Sequence, residues 1–158
     1  MRKVLLQVVF LFLIPLSVVK AQVADSVAVG LSFMGHPMGQ TIAEFTEAIR
    51  ARYPLQRKVG GDHYYIYRGS VYGHDMYFKA EYTRKSRTVY KITVTPKQVE
   101  ESELLDSLMA HYGTPTEVKD GYRWDEEAGT VFLYTPGGYD PVLFYFDTAG
   151  VARFREEK

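Results

Sequence analysis

Apolar and polar residues alternate along much of the chain, and turn residues punctuate the alternation. Over 27–33, Val27, Val29, Leu31 and Phe33 alternate with Ala28, Gly30 and Ser32, which predicts a strand. A turn-rich stretch from Gly35 to Gln40 follows. Thr41 and Glu44 have capping-box spacing, and Ile42, Phe45, Ile49 and Tyr53 recur at helical spacing until Pro54. Residues 56–62 read as a polar connection. A tyrosine-rich hairpin comes next, with one strand over 63–68 and the other over 75–82; Gly69, Ser70 and Gly73 sit in or near its turn. In the first strand Tyr64 and Ile66 are assigned to the core, so Tyr65 and Tyr67 point outward. In the second, Met76, Phe78, Ala80 and Tyr82 face inward, and Asp75, Tyr77, Lys79 and Glu81 outward.

The basic link Arg84-Lys85-Ser86-Arg87 leads to a strand over 89–95, with Tyr90, Ile92 and Val94 inward and Lys91 and Thr93 outward. Pro96 ends it. A second helix spans 99–112, with an apolar stripe of Leu104, Leu105, Leu108, Met109 and Tyr112. Glu100, Glu101, Glu103 and Asp106 lie on its other side, and Gly113 and Pro115 stop it. The rest reads as sheet: 122–124, a hairpin of 130–135 and 142–147, and a last strand over 151–154 after the turn Asp147-Thr148-Ala149-Gly150. The expected fold class is α+β, with two helices packed on one face of a mainly antiparallel sheet. The order strand, helix, hairpin occurs twice, which suggests a duplicated unit.

Phe33-Met34-Gly35-His36-Pro37, the capped helix at Thr41, Val89-Tyr90-Lys91-Ile92-Thr93-Val94 and Tyr112-Gly113-Thr114-Pro115 together resemble small exported proteins of the Bacteroidetes with no assigned activity. The Ala21-Gln22 junction resembles the ends of their signal peptides. The resemblance implies no catalytic residues. The helix-plus-sheet order is also similar to the β-lactamase-inhibitor-protein architecture and to small outer-membrane assembly lipoproteins, which is an analogy of fold only.

The N-terminus adds a compartment. Arg2 and Lys3 precede an apolar stretch over 4–19, and Val19-Lys20-Ala21 has the layout of a cleavage site. The stretch is shorter than the ~20 apolar residues that span a bilayer. Residues 1–21 are therefore expected to be a signal peptide and 22–158 a single exported domain, periplasmic or secreted, with a bacterial envelope as its setting. No cysteine sits at the cut to carry a lipid. The alternative is a retained membrane anchor.

The chain has 19 basic and 19 acidic residues, and cleavage removes three basic residues (Arg2, Lys3, Lys20) and no acid. The slightly acidic remainder has no attraction for nucleic acid, and no stable membrane insertion is expected after cleavage. With no cysteine there is no disulfide, thiol nucleophile or thiolate metal site. Asparagine is absent too, so there is no N-glycosylation sequon.

No motif carries catalysis. Gly69-Ser70-Val71-Tyr72-Gly73 lacks the nucleophile-elbow spacing and lies at a hairpin turn. His63 and His74 flank the same hairpin, yet parity puts His63 outward and His74 inward, and no metal or cofactor is expected. Asp125, Glu126 and Glu127 read as an acidic turn, and the amides of the 35–40 loop are already engaged by the capping box. The candidate site is the outward sheet face, with Tyr65, Tyr67, Tyr77 and Lys79 on it and Glu81 and Lys91 beside it. Rigid tyrosines next to charge suit a protein, peptide or glycan partner from the envelope or secreted space. The function expected is non-catalytic binding through that face. A hydrolase with a non-standard site, built from His36, His63 or His74, and a carrier of a small ligand between helices and sheet are the alternatives. Intact-mass measurement of the exported protein should find a chain beginning at Gln22; a retained residue 1 would mean an anchor.

Overall fold

The computed structural model describes residues 31–137 and 140–158. The segment expected to be a signal peptide and the first part of the strand expected over 27–33 lie outside the described residues, as do residues 138 and 139. The chain opens with a small hairpin, β1 (Ser32–Phe33) and β2 (His36–Pro37), followed by helix α1 (Ile42–Ile49). Strands β3 (Leu55–Val59), β4 (Tyr64–Val71), β5 (His74–Tyr82) and β6 (Val89–Val94) form a meander. Helix α2 (Glu101–Tyr112) leads to a second meander: β7 (Thr116–Val118), β8 (Gly121–Glu126), β9 (Gly129–Tyr134) and β10 (Val142–Asp147). Helix α3 (Thr148–Glu156) ends the chain.

All the meander strands join one antiparallel sheet in the order β3-β4-β5-β6-β10-β9-β8-β7. The two meanders therefore meet through their last strands, with Tyr145 opposite Ile92 and Phe146 opposite Lys91. Burial alternates along β5, β9 and β10, so one face of the sheet is closed and the other open. The closed face packs aromatic rings. Phe78 stacks on Tyr67 at 5.1 Å, and Phe33 reaches Phe78 at 4.7 Å and Tyr145 at 5.0 Å. From α1, Phe45 meets the Tyr67 ring and the Thr46 hydroxyl lies 2.6 Å from that of Tyr67. From α2, Leu104 and Leu108 are buried, and Tyr112 lies against Trp124.

The expected α+β class and antiparallel sheet are present. The capping box at Thr41 forms with both of its hydrogen bonds, at 3.3 and 2.9 Å. Gly113 ends α2 with φ +78°, where its carbonyl accepts from the Trp124 indole at 2.9 Å. Several elements differ from expectation. The first helix ends at Ile49, ahead of Tyr53, and the 56–62 connection contains β3. The tyrosine hairpin turns at Tyr72 and Gly73, whose φ values are both positive (49° and 84°), so Gly69 and Ser70 belong to the strand.

The largest departure is at the C-terminus, where a helix replaces the strand expected over 151–154. Asp147 decides it. Its Oδ1 accepts from the Gly150 amide at 2.7 Å, which caps the first turn of α3. Its Oδ2 accepts from the Leu31 amide at 3.3 Å. Gly150 also lies so close to Tyr90 that a Cβ would meet its Cα at 2.8 Å, and Phe154 then stacks on the Tyr90 ring at 4.5 Å. The carboxylate is 1% exposed and ties the start of the described chain to its last helix. Asp147→Ala removes the cap and strands a buried amide, so it should cost about 2–3 kcal/mol in urea unfolding. Asp147→Asn keeps an acceptor oxygen and should lose less.

Candidate functional site

The register across the sheet assembles the open face residue by residue. Phe132, Phe144, Thr93, Lys79 and Ile66 line up across β9, β10, β6, β5 and β4. A parallel row holds Thr130, Phe146, Lys91, Glu81 and Tyr64 on the same strands. Phe144 stacks against Phe132 at 6.3 Å and Phe146 at 5.9 Å. All three phenylalanines are only partly buried. The Lys91 ammonium lies 5.2 Å from the Phe144 ring centre and 5.7 Å from that of Phe146, within cation–π reach of both. Glu81 bridges Lys79 at 3.3 Å and Lys91 at 3.2 Å. Lys79 also lies over the Tyr64 ring, and Arg68 over Tyr77 while pairing with Asp75 at 2.7 Å. Such exposed pairs contribute at most about 1 kcal/mol each, so they orient side chains more than they stabilise the fold.

Two of the four candidate residues belong to this face. Tyr77 is 50% exposed, and Lys79 stands beside it on the same strand face. Tyr65 and Tyr67 do not: they oppose Ala80 and Phe78 on the closed face. Tyr67 is fully buried, and Tyr65 packs against Tyr82 at 5.4 Å. The inward assignment of Tyr64 and Ile66 is reversed with them. The phase of β4 could not be read because both of its faces carry rings or aliphatic groups. Pairing with β5, whose alternation is unambiguous, sets the phase. Sequence reasoning also missed Phe132, Phe144 and Phe146. The signal was the near-continuous apolar character of 131–134 and 142–146, which marks a strand apolar on both sides.

Comparison with protein-family models, curated proteins and solved structures finds no match for this chain.

Geometry separates the other candidate chemistry. Ser70 opposes Asp75 on the open face, whereas His74 opposes Val71 on the closed face, so strand parity parts serine from imidazole. His63 packs on the Tyr82 ring at 6.0 Å and shares a groove with Tyr90 and Phe154 beside α3. His36 lies on Tyr53 at 6.0 Å, where burial, and then Arg52, lower its pKa from the ordinary value. Asp125 is held by Arg123 at 3.0 Å, and its neighbour Glu126 belongs to the other face. Among the described residues no group of three or more His, Cys, Asp or Glu converges to hold a metal ion. No helix among them is long and apolar enough to cross a membrane.

Buried phenols form a second feature. Tyr72, at the left-handed turn position, places its hydroxyl 2.6 Å from that of Tyr145 and 3.4 Å from that of Tyr112. Burial pushes all three pKa values up. Within the apolar layer the three hydroxyls satisfy one another. Burial likewise pushes Tyr67 up to about 12, with the Thr46 hydrogen bond pulling the other way. An unfolded tyrosine titrates near ~10. The folded state therefore binds this proton more tightly, and the stability it contributes is complete below pH ~10. That contribution is lost as pH rises through about 12. Urea unfolding across that range should show stability falling, and Tyr67→Phe should flatten the fall while costing about 1 kcal/mol at neutral pH.

Proposed function

We propose that this protein is a non-catalytic exported module that grips another macromolecule, a protein, peptide or glycan, through the open sheet face. One observation supports the reading most directly. A cluster of partly exposed phenylalanines, with Tyr77 and the Lys79–Glu81–Lys91 bridge beside it, occupies the open sheet face. Aromatic rings left wet on a rigid sheet represent binding free energy not used in folding. The reading takes α1 and α2 as a shared cover for the opposite face. It takes the halves α1-β3-β4-β5-β6 and α2-β7-β8-β9-β10 as a duplicated helix-and-meander unit joined at β6 and β10. It places the protein in the periplasm or outside the cell, with residues 1–21 as the export signal.

The test is to screen the purified chain beginning at Gln22 against peptide and glycan arrays. Amide chemical shifts then map any ligand found. Perturbations should concentrate on Ile66, Tyr77, Lys79, Phe132 and Phe144. The double variant Tyr77→Ala, Phe144→Ser should weaken binding by about 30-fold, the size of a central contact pair. A ligand that perturbs only the closed face or α2, or that the double variant binds with full affinity, would remove the reading.

A further inference from the structure

Basic residues outnumber acidic ones on the open face. The register places Arg57, Arg68, Lys79, Lys91 and Arg123 on it, against Asp75, Glu81 and Asp125. Each of those carboxylates is already engaged by a cation of the same face. The grooves add Lys97 beside Tyr77, and Arg155 and Lys158 beside Phe146. The whole chain is balanced, with 19 basic and 19 acidic residues. The positive charge gathered here is matched elsewhere, on the outer surface of α2 at Glu101, Glu103 and Asp106. Charge segregated onto a wet aromatic face selects the sign of what binds there.

The grooves have a shape as well. One of about 760 Å³ lies between α3 and the sheet, floored by Tyr90, Phe146 and Phe154 and edged by Lys91, Arg155 and Lys158, with no carboxylate in its lining. A second, of about 300 Å³, lies over Phe132, Val118 and Arg123. Thr130 and Phe146 line both, so the two are continuous. The combined channel runs across the strands from β6 to β7, four inter-strand spacings of ~4.8 Å, or about 19 Å. It is open along its length, with rings on its floor and cations along its edges.

Resting on the reading of the open face as a binding surface, we propose that its ligand is an extended acidic peptide segment of a partner protein. About six residues at ~3.3 Å each fill the channel. Apolar side chains would seat on Phe146 and Phe132, and carboxylates would meet Arg155 and Lys158 and compete with Glu81 and Asp125 for Lys91 and Arg123. A peptide suits an open trough because its backbone stays hydrated while alternate side chains bury. A free fatty acid would leave half of its chain in water in the same trough. A sulfated glycan matches the charge, but its C–H faces bury less apolar area on Phe132 and Phe146 than leucine-sized side chains do.

The test is fluorescence anisotropy with a labelled peptide alternating glutamate with leucine, its glutamine counterpart, a sulfated oligosaccharide and oleate as competitors, and sedimentation of the protein alone. The acidic peptide should bind, weaken as salt rises, and bind at least about tenfold better than the glutamine peptide, as expected when an interfacial charge pair is lost. Arg155→Glu, an exposed change on α3, and Phe132→Ser should each weaken it about tenfold, with unfolding midpoints checked in parallel. Equal binding of the glutamine peptide overturns the proposal, as does displacement by the oligosaccharide or oleate alone. So does self-association that Arg155→Glu abolishes, which would seat the acidic α2 surface of a second copy in the channel. If one of these other ligands still perturbs the open face, the binding-module reading survives without the acidic peptide; if no ligand perturbs it, both fall.

Discussion

Antiparallel pairing of β6 with β10 joins the two meanders, and most of the molecule follows from it. Because these are the last strands of their meanders, each helix-and-meander half contributes one edge to a central seam. The pairing sets Tyr145 against Ile92 on the closed side. In the same ladder it sets Phe146 against Lys91 on the open side. A slip of one residue would turn one strand over relative to the other, either burying Lys91 and Thr93 or exposing Leu143 and Tyr145. In the observed register Tyr145 is fully buried and its hydroxyl lies 2.6 Å from that of Tyr72.

Polar groups within the closed layer are handled locally. Asp147 is satisfied by two backbone amides, the tyrosine hydroxyls by one another, and Thr83 and Thr88 by Ser86 and by backbone partners. Among the described residues no buried side-chain nitrogen or oxygen is left without a partner. Outside that layer, aromatic rings and cations share the open face.

How far the sequence could be read depended on how much contrast each segment carried. In β5, Met76, Phe78, Ala80 and Tyr82 alternate with charged residues and Tyr77, so its phase was legible and places Tyr77 and Lys79 correctly. In β4, Tyr64, Tyr65, Ile66 and Tyr67 offer no polar phase, and the reading put Tyr65 and Tyr67 on the wrong side. At the C-terminus, Asp147-Thr148-Ala149-Gly150 is equally good material for a turn and for a helix cap. The close approach of Gly150 to Tyr90 and the stacking of Phe154 chose the helix.

The sequence by itself determined the α+β class, the capped first helix, the glycine stop after α2 and the facing of β5, because each rests on contacts within a few residues. Tertiary structure alone decided that the phenylalanines of β9 and β10 share a surface with Lys79 and Lys91, and that this surface gathers the basic side chains. Those neighbours lie far apart in the chain, and only cross-strand pairing brings them together. No local pattern encodes a register between strands that meet through the centre of a sheet.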